Sequence, residues 1–420
     1  MHMKDSNIAW IGEIPSSWRT TKVKYLFNIV SGATPSSDAE FWDGDVRWIT
    51  PADFKTKDKY VSQGKRNLSE QGYKSCSASL IPKGSIIFSK RAPIGTVAIA
   101  SDVLCTNQGC LSCIPFQKVC EDYYYYTMSI GTEHFELMGS GTTFKEISAT
   151  TFANCVLPFP SYDVQKRIAE YLDLKCAEIY KEENDILSQI EVLEQYKRSV
   201  ITESVTKGVN SDASFSDSGI QWVGMMPTHW KIIRGKYILS YMQKPVREDD
   251  GIITCFRDGE VTLRSNRREE GFTMSDKEIG YQGIDEGDLV VHGMDGFAGA
   301  IGISDSRGKA SPVLNVLDTK QNKRYIMYYL RSMAYSDVFL ALATGIRVRS
   351  CDLRWNKLSE LSYPVPPLEE QQVIVDHIDS VIEKADAVIA DKKAQLEILD
   401  EYKKSLIFEY VTGKKEALTV

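Results

Sequence analysis

Of 420 residues, 43% are hydrophobic and 25% charged, ordinary proportions for a soluble globular chain and too much length for a single core. No apolar run approaches the roughly 18–20 residues of a membrane span, and the opening MHMKDSNIAW lacks an export signal's apolar core, so two or more cytoplasmic domains are expected. The net charge of −7 is localised: residues 161–208 carry 7 basic and 10 acidic side chains, residues 366–420 carry 7 and 12, and the remainder is net +1, which leaves room for nucleic-acid contact there.

The first feature along the chain is the octet IGEIPSSW, Ile11 to Trp18, a hydrophobic-Gly-x-x-Pro-x-x-Trp pattern. It recurs 212 residues later as VGMMPTHW, Val223 to Trp230, and so marks the entry to each of two equivalent units. SLIPKGSIIFSKRAPIGTVAIA (79–100) predicts a strand, a glycine-bearing turn and a second strand. DYYYYTMSIGTEHFELM (122–138) reads as short amphipathic helices, followed by the glycine loop GSGTTFKEIS (139–148). Cys105, Cys110, Cys113 and Cys120 cluster within an odd total of nine, but they offer one CxxC where a zinc site usually needs two such pairs. Buried thiols in a reducing compartment are the expectation.

LPFPSYDVQKRIAEYLDLKCAEIY (from Leu157) opens a long helix after a Pro-x-Pro, with Leu172, Ile179, Ile186, Leu193 and Val200 recurring every seven residues. The second middle region follows the same plan. GIDEGDLVVHGMDGFAGAIGIS (283–304) is strand–turn–strand, residues 322–342 are helical, and TGIRVRSCDL (344–353) is the later loop. YPVPPLEEQQVIVDHIDSVIEKAD, from Tyr363, then copies the segment at Leu157 with an offset of 206. Its apolar stripe is Ile374, Ile378, Val381, Ala385 and Val388, interrupted at Lys392 and Gln395 and resumed at Leu399, Tyr402 and Leu406. EQYKRSVITESVTKG (from Glu194) and DEYKKSLIFEYVTGK (from Asp400) match at the same offset.

A parallel helix pair would make the second middle region bridge the ~60 Å length of a 40-residue helix, so antiparallel pairing is expected. The fold class that follows is mixed α/β (α+β). Two globular domains are separated by two long antiparallel coiled-coil helices in a dumb-bell with a pseudo-two-fold internal repeat. The boundaries are 1–157, a central helical region at 158–208, 209–363, and a C-terminal helical region at 364–420.

Motifs for chemistry are missing from the sequence. Each Gly-Lys pair is followed by Arg, Tyr, Ala or Lys, so there is no phosphate loop. Pro366-Pro367 lacks the context of an amino-methyltransferase tetrapeptide, and no HExxH, GxSxG or dinucleotide fingerprint occurs. Asp53-Phe54-Lys55 resembles a fragment of a nuclease metal motif, a common tripeptide with little weight. The loops, in contrast, carry basic and amide side chains suited to base edges and phosphates. The candidate DNA-binding residues are Lys90, Arg91, Asn107, Gln108, Thr143 and Lys145 in the first middle region. In the second they are Arg257, Arg264, Arg267, Arg268, Arg347 and Arg349.

The two octets, the GSGTTFKEIS loop and the Pro-x-Pro-to-helix segments with Glu369-Glu370-Gln371-Gln372 closely resemble specificity subunits of type I restriction–modification systems, over nearly the whole chain. The first copy departs from that pattern, with Tyr162-Asp163-Val164-Gln165 where an acidic residue usually precedes Gln. The resemblance implies two target-recognition domains, each reading half of a bipartite, asymmetric site on double-stranded DNA. The helices would set the spacer and help dock two modification (methyltransferase) subunits. The chain itself would be non-catalytic and hold no cofactor or metal. S-adenosylmethionine, ATP and Mg would belong to the modification partners and to the restriction (translocase/endonuclease) subunits. The alternative is a coiled-coil scaffold joining two protein- or glycan-binding domains, which salt-dependent affinity for duplex DNA would separate.

Overall fold

The structure is a computed structural model that describes residues 2–54, 58–91, 93–141, 145–267, 279–341 and 353–417. It divides into two compact units, Met1–Ile186 with Ala394–Val420, and Leu187–Lys393.

In the first unit, Met3–Asp5 pairs antiparallel with Glu13–Pro15, and Gly12 turns between them at φ +71°. Arg19–Lys22 pairs with Val156–Phe159. The central sheet has the order Phe27–Ser31, Cys110–Pro115, Ile86–Ser89, Val97–Ala100, Tyr60–Val61, antiparallel except for its last pair. Ile86–Ser89 and Val97–Ala100 are buried along their whole length, which is why they read as apolar runs without alternation. They form the expected hairpin, with Ile86 opposite Ile99.

The helical stretch after it differs from expectation. It is two helices, Glu121–Ser129 and Thr132–Leu137, and the first is buried on all sides from Tyr123 to Met128, not amphipathic. The run of four tyrosines tolerates this because three of the hydroxyls reach acceptors. Tyr123 donates to the Val411 carbonyl (2.7 Å), Tyr124 to that of Pro158 (3.0 Å) and Tyr126 to the Asp173 carboxylate (2.6 Å).

The second unit repeats the plan. Phe215–Asp217 pairs with Met225–Pro227, and Lys231–Arg234 with Ser362–Val365. Its sheet order is Leu239–Met242, Leu314–Thr319, Leu289–His292, Ile301–Ile303, the same topology as the first four strands of the other sheet. The helix Lys323–Tyr335 takes the place of Glu121–Ser129.

The long helices are Tyr162–Lys207 and Leu368–Val411. In the first unit the start of one meets the end of the other: the Tyr171 and Tyr410 rings are 4.5 Å apart, and Lys403 bonds Glu183 at 3.1 Å. In the second unit the end of one meets the start of the other, through Lys197 and Asp386 at 2.6 Å. Both pairings are antiparallel. The buried stripe is not the uniform seven-residue repeat expected. Leu193 and Val200 are half-buried while Ile201 and Val205 are buried; Val388 and Tyr402 are exposed while Ile389 and Ile407 are buried. Ile374 and Ala385, like Ile378 and Ile389, are eleven residues apart, a spacing nearer to 3.6 residues per turn than a strict heptad, from which an ideal helix drifts about 20° per repeat.

Each octet seats on the glycine that ends a long helix in its own unit. A Cβ on Gly413 (φ +71°) would lie 2.5 Å from Pro15 and 2.8 Å from the Trp18 ring. Gly208 (φ +74°) stands against Trp230 in the same way, at 3.2 Å. Gly-x-x-Pro-x-x-Trp is thus written twice because two helix ends need the same cover.

Candidate nucleic-acid interface

In the first unit, loops far apart in sequence are clasped by main-chain bonds around residue 90. The Lys90 N–H donates to the Gly109 carbonyl (2.9 Å), and the Lys90 carbonyl accepts from the Ile147 N–H (3.1 Å). Ser140 and Glu146 exchange a reciprocal pair of bonds at 3.0 Å. The clasp gathers Lys90, Arg91, Asn107, Gln108 and Lys145. Asn107 is fixed by its N–H to Ile49 (2.9 Å), and its Oδ1 accepts from the Gly109 N–H (2.9 Å). Gln108 Oε1 accepts from the Thr34 hydroxyl.

Electrostatics sorts these candidates. Lys90 Nζ and Arg91 Nε both bond Glu146, at 2.8 and 2.7 Å. The Lys90 hydrogen bond holds the Glu146 carboxyl below its usual range, so the carboxylate stays charged. The Lys90 side chain is 14% exposed and that of Arg91 47%. Lys90 therefore serves as a half-buried tie. Arg91 contacts Glu146 through one of its five N–H donors and keeps a half-exposed edge. Lys145 is exposed.

The second unit has the same clasp with other residues. The Gly293 N–H donates to Val313 (2.8 Å), and its carbonyl accepts from the Leu353 N–H (2.8 Å). Arg257, Arg264 and Arg267 lie in or just after the hairpin of Ile253–Cys255 with Val261–Leu263. Arg257 reaches the clasp, bonding Asp295 at 2.8 Å with a side chain 60% exposed. Arg267 is held on its own hairpin by Asp258 and Glu260 and lies 4.2 Å over the Phe256 ring. Arg264 is half-buried, with Nε 3.4 Å from the Thr254 hydroxyl. Thr143, Arg268, Arg347 and Arg349 lie outside the described residues.

Sequence reasoning missed the residues that brace the clasps. Glu146 sits one residue from a candidate, but nothing local pairs it with Lys90. His292 Nδ1 accepts from the Met294 and Asp295 N–H groups (3.2 and 2.9 Å), and burial lowers its pKa, so it braces the loop as a neutral acceptor. Gln165 and Gln371, 206 residues apart, are both fully buried. Gln165 accepts from the Cys120 N–H (2.9 Å) and donates to Pro160 (2.9 Å); Gln371 accepts from the Asn322 N–H (2.9 Å) and donates to Pro366 (2.8 Å). Each staples a long helix to the start of its domain helix. The acidic residue that the first copy lacks is explained beside them. Glu370 accepts from Trp230 Nε1 (3.0 Å), whereas Val164, its counterpart, lines a small cavity with Trp18.

Other candidate chemistry is employed structurally. Asp53 accepts from the Thr50 N–H and hydroxyl (2.8 and 2.7 Å) and from the Lys65 N–H (3.0 Å), closing a turn. Cys110 and Cys113 are buried in separate clusters on opposite faces of one strand, so they cannot share an ion, and burial pushes both thiols up.

The site thus defines a class: a chain that presents two equivalent loop clasps, each on a mixed α/β domain packed against paired long helices. The Type I restriction modification DNA specificity domain family matches residues 15–192 and 283–398, and the chain belongs to that family. It is 39% identical over 193 residues to the type I restriction enzyme MjaIX specificity subunit of Methanocaldococcus jannaschii, spanning 44% of each chain. It is 23% identical to the putative MjaX specificity subunit of the same organism, over 96% of this chain and 95% of that one. Two solved structures share the fold at 14% identity. One is a chain from a type I R-M system, with TM-score 0.68 over 96% of this chain and 99% of that one. The other is the HsdS subunit of Thermoanaerobacter tengcongensis, with TM-score 0.50 over 96% and 98%.

Proposed function

We propose that this chain is the DNA sequence-specificity subunit of a type I restriction–modification complex. Residues 1–157 and 209–363 act as target-recognition domains, each reading one half of a bipartite, asymmetric duplex site. Residues 158–208 and 364–420 set the spacer and dock two modification subunits. One observation carries the reading: the same main-chain clasp is built twice, with different side chains on it. Two readers of one construction and different surface suit two different half-sites.

Exposed apolar positions on the helices support paired docking. Val192 (60% exposed) and Tyr196 (52%) recur 206 residues later as Ile398 (64%) and Tyr402 (53%), four residues apart each time. Equivalent surfaces suit two copies of one partner. The chain contributes no catalytic residue and binds no cofactor in this reading. Adenine methylation with S-adenosylmethionine, and ATP- and Mg-dependent restriction, belong to the partners.

Mapping methylated adenines in the source genome with and without this gene tests the function. Loss of one split motif with a fixed spacer is expected, and an unchanged methylation map with an active modification partner would overturn it. Arg91→Ala tests the assignment of halves. It should weaken one half-site by ~1–3 kcal/mol, the cost of about one mismatched base pair, and equal loss at both halves would refute it.

A further inference from the structure

Beyond the loops, a second basic feature is written twice. Trp18 is followed by Arg19, Lys22, Lys24 and Tyr25; Trp230 is followed by Lys231, Arg234, Lys236 and Tyr237, at the octet's offset of 212. All eight side chains are exposed, Tyr25 at 66% and Tyr237 at 74%. In both units the lysine stands beside the neighbouring tyrosine ring, 5.4 and 5.6 Å from its centre.

Packing does not account for the repetition. The half-buried Thr21 is matched by the half-buried Ile233, and buried Val23 by buried Gly235, so positions that pack within the stripe have changed. Other exposed positions of the same stretch have changed as well: Glu13 became Met225, Ser17 became His229, and Asn28 became Ser240. What stays is a solvent-facing pattern of three cations and one tyrosine. Its local tethers differ too. Lys22 reaches the neutral Asn154 side chain at 3.4 Å, whereas its counterpart Arg234 donates to the Glu360 carbonyl and the next cation, Lys236, bonds the Glu360 carboxylate at 3.1 Å.

We propose that these two stripes are phosphate-binding strips that grip the DNA backbone independently of sequence. This rests on the reading of the chain as a DNA specificity subunit. Two half-sites differ in bases but offer the same phosphates, so base-reading loops can diverge while backbone contacts stay alike. Arg and Lys supply charge, and the exposed tyrosine hydroxyl supplies a further donor to phosphate oxygen. Charge chooses the occupant: the strips are cationic, in a chain whose acidic excess lies in its helical segments.

The test uses the full chain in complex with its modification subunits. One variant carries Arg19→Gln, Lys22→Gln and Lys24→Gln, and a charge-keeping control carries Arg19→Lys, Lys22→Arg and Lys24→Arg. Affinity is measured for the cognate duplex and for an unrelated duplex between 50 and 200 mM salt. The neutral variant should bind both duplexes about ten-fold or more weakly, with a salt slope shallower by ~2–3, at about 0.9 per lost phosphate contact. The control should retain wild-type binding. An unchanged slope, or loss confined to the cognate duplex, would overturn the strips while leaving the specificity function standing. So would failure of the neutral variant to assemble with the modification subunits when its own DNA affinity is unchanged, which would make the stripe a protein interface. A wild-type complex that binds no duplex would overturn both readings.

Discussion

Removing Gln371 should loosen one domain helix and spare its counterpart. Its side chain is fully buried and makes three bonds: Oε1 accepts from the Asn322 N–H (2.9 Å), and Nε2 donates to the Pro366 carbonyl (2.8 Å) and to the Gln321 side chain (2.8 Å). Asn322 is the N-cap of Lys323–Tyr335. At about 1 kcal/mol net per bond, with a further cost for the orphaned groups, Gln371→Ala should remove ~3–4 kcal/mol from local stability. Since 1.4 kcal/mol is ten-fold in an equilibrium, exchange protection at the amides of that helix should fall by about 10²–10³-fold. The amides of Glu121–Ser129, stapled by Gln165, should keep theirs. Gln165→Ala, with two bonds instead of three, should reverse the pattern at ~2–3 kcal/mol. Hydrogen exchange resolved by segment reads both. Equal losses in the two helices, or a change below about three-fold, would refute the staple.

Gly413→Ala should cost more than Gly208→Ala. Both have positive φ, at about 1 kcal/mol for a side chain there, but at Gly413 the new methyl meets the rigid Pro15 ring at 2.5 Å, against 3.2 Å to Trp230; thermal melts should rank them so, and the reverse order would refute the seat. Acid should weaken the second unit through Asp285, whose carboxyl is held down to about 2 by hydrogen bonds from Lys244 and then Arg307. A depressed carboxyl stabilises in full above its ordinary pKa near 4 and loses that contribution as pH falls through about 2. Asp285→Asn should therefore flatten the stability profile between pH 4 and 2, and a profile unchanged from wild type would sink the assignment. Glu146→Gln should strip Lys90 and Arg91 of their shared carboxylate. Binding to unrelated duplex should strengthen, with a steeper salt slope, as charge is released to phosphate; weaker binding at every salt concentration would show that Glu146 mainly shapes the loop.

Repetition made most of the fold legible. The octets, the Pro-x-Pro entries and the paired segments from Glu194 and Asp400 reported two units because each marks a junction that has to be built twice. Periodicity placed both long helices and most of the residues they bury, Leu172, Ile179, Ile186, Ile374, Ile378, Ala385 and Leu406 among them, but misjudged Val388 and Tyr402. Val388 and Tyr402 obey a strict heptad, yet a helix of 3.6 residues per turn drifts from that repeat, and Ile389 and Ile407 are buried instead. The tyrosine run could not be read as a buried helix because its acceptors, Val411, Pro158 and Asp173, lie 34 to 288 residues away. At the candidate site, basic residues were visible but their counter-ions were not. A carboxylate 55 residues distant decides that Arg91 is half-tied, and local sequence carries no trace of that pairing. The exposed basic stripes were in plain view at offset 212. Recognising them required knowing which positions face solvent, since their persistence has meaning only beside packed neighbours that changed.

The clasp gives a physical reason why such domains can acquire new specificity without losing their fold. Its bonds run from main chain to main chain: Lys90 to Gly109 and Ile147 in one unit, Gly293 to Val313 and Leu353 in the other. Lysine and glycine, as different as side chains can be, occupy the same node, because an amide hydrogen bond takes no account of what Cα carries. Loops fixed by side-chain networks would lose their geometry with each substitution, since breaking one member strands its partners. Loops fixed by amides keep their geometry while charge, size and hydrogen-bonding pattern change on them. The side-chain ties that do exist are local to each unit, Glu146 in one and His292 with Asp295 in the other. Each can be exchanged without disturbing the buried staples and glycine seats beneath. Stability sits in the repeated frame and recognition on the unrepeated surface.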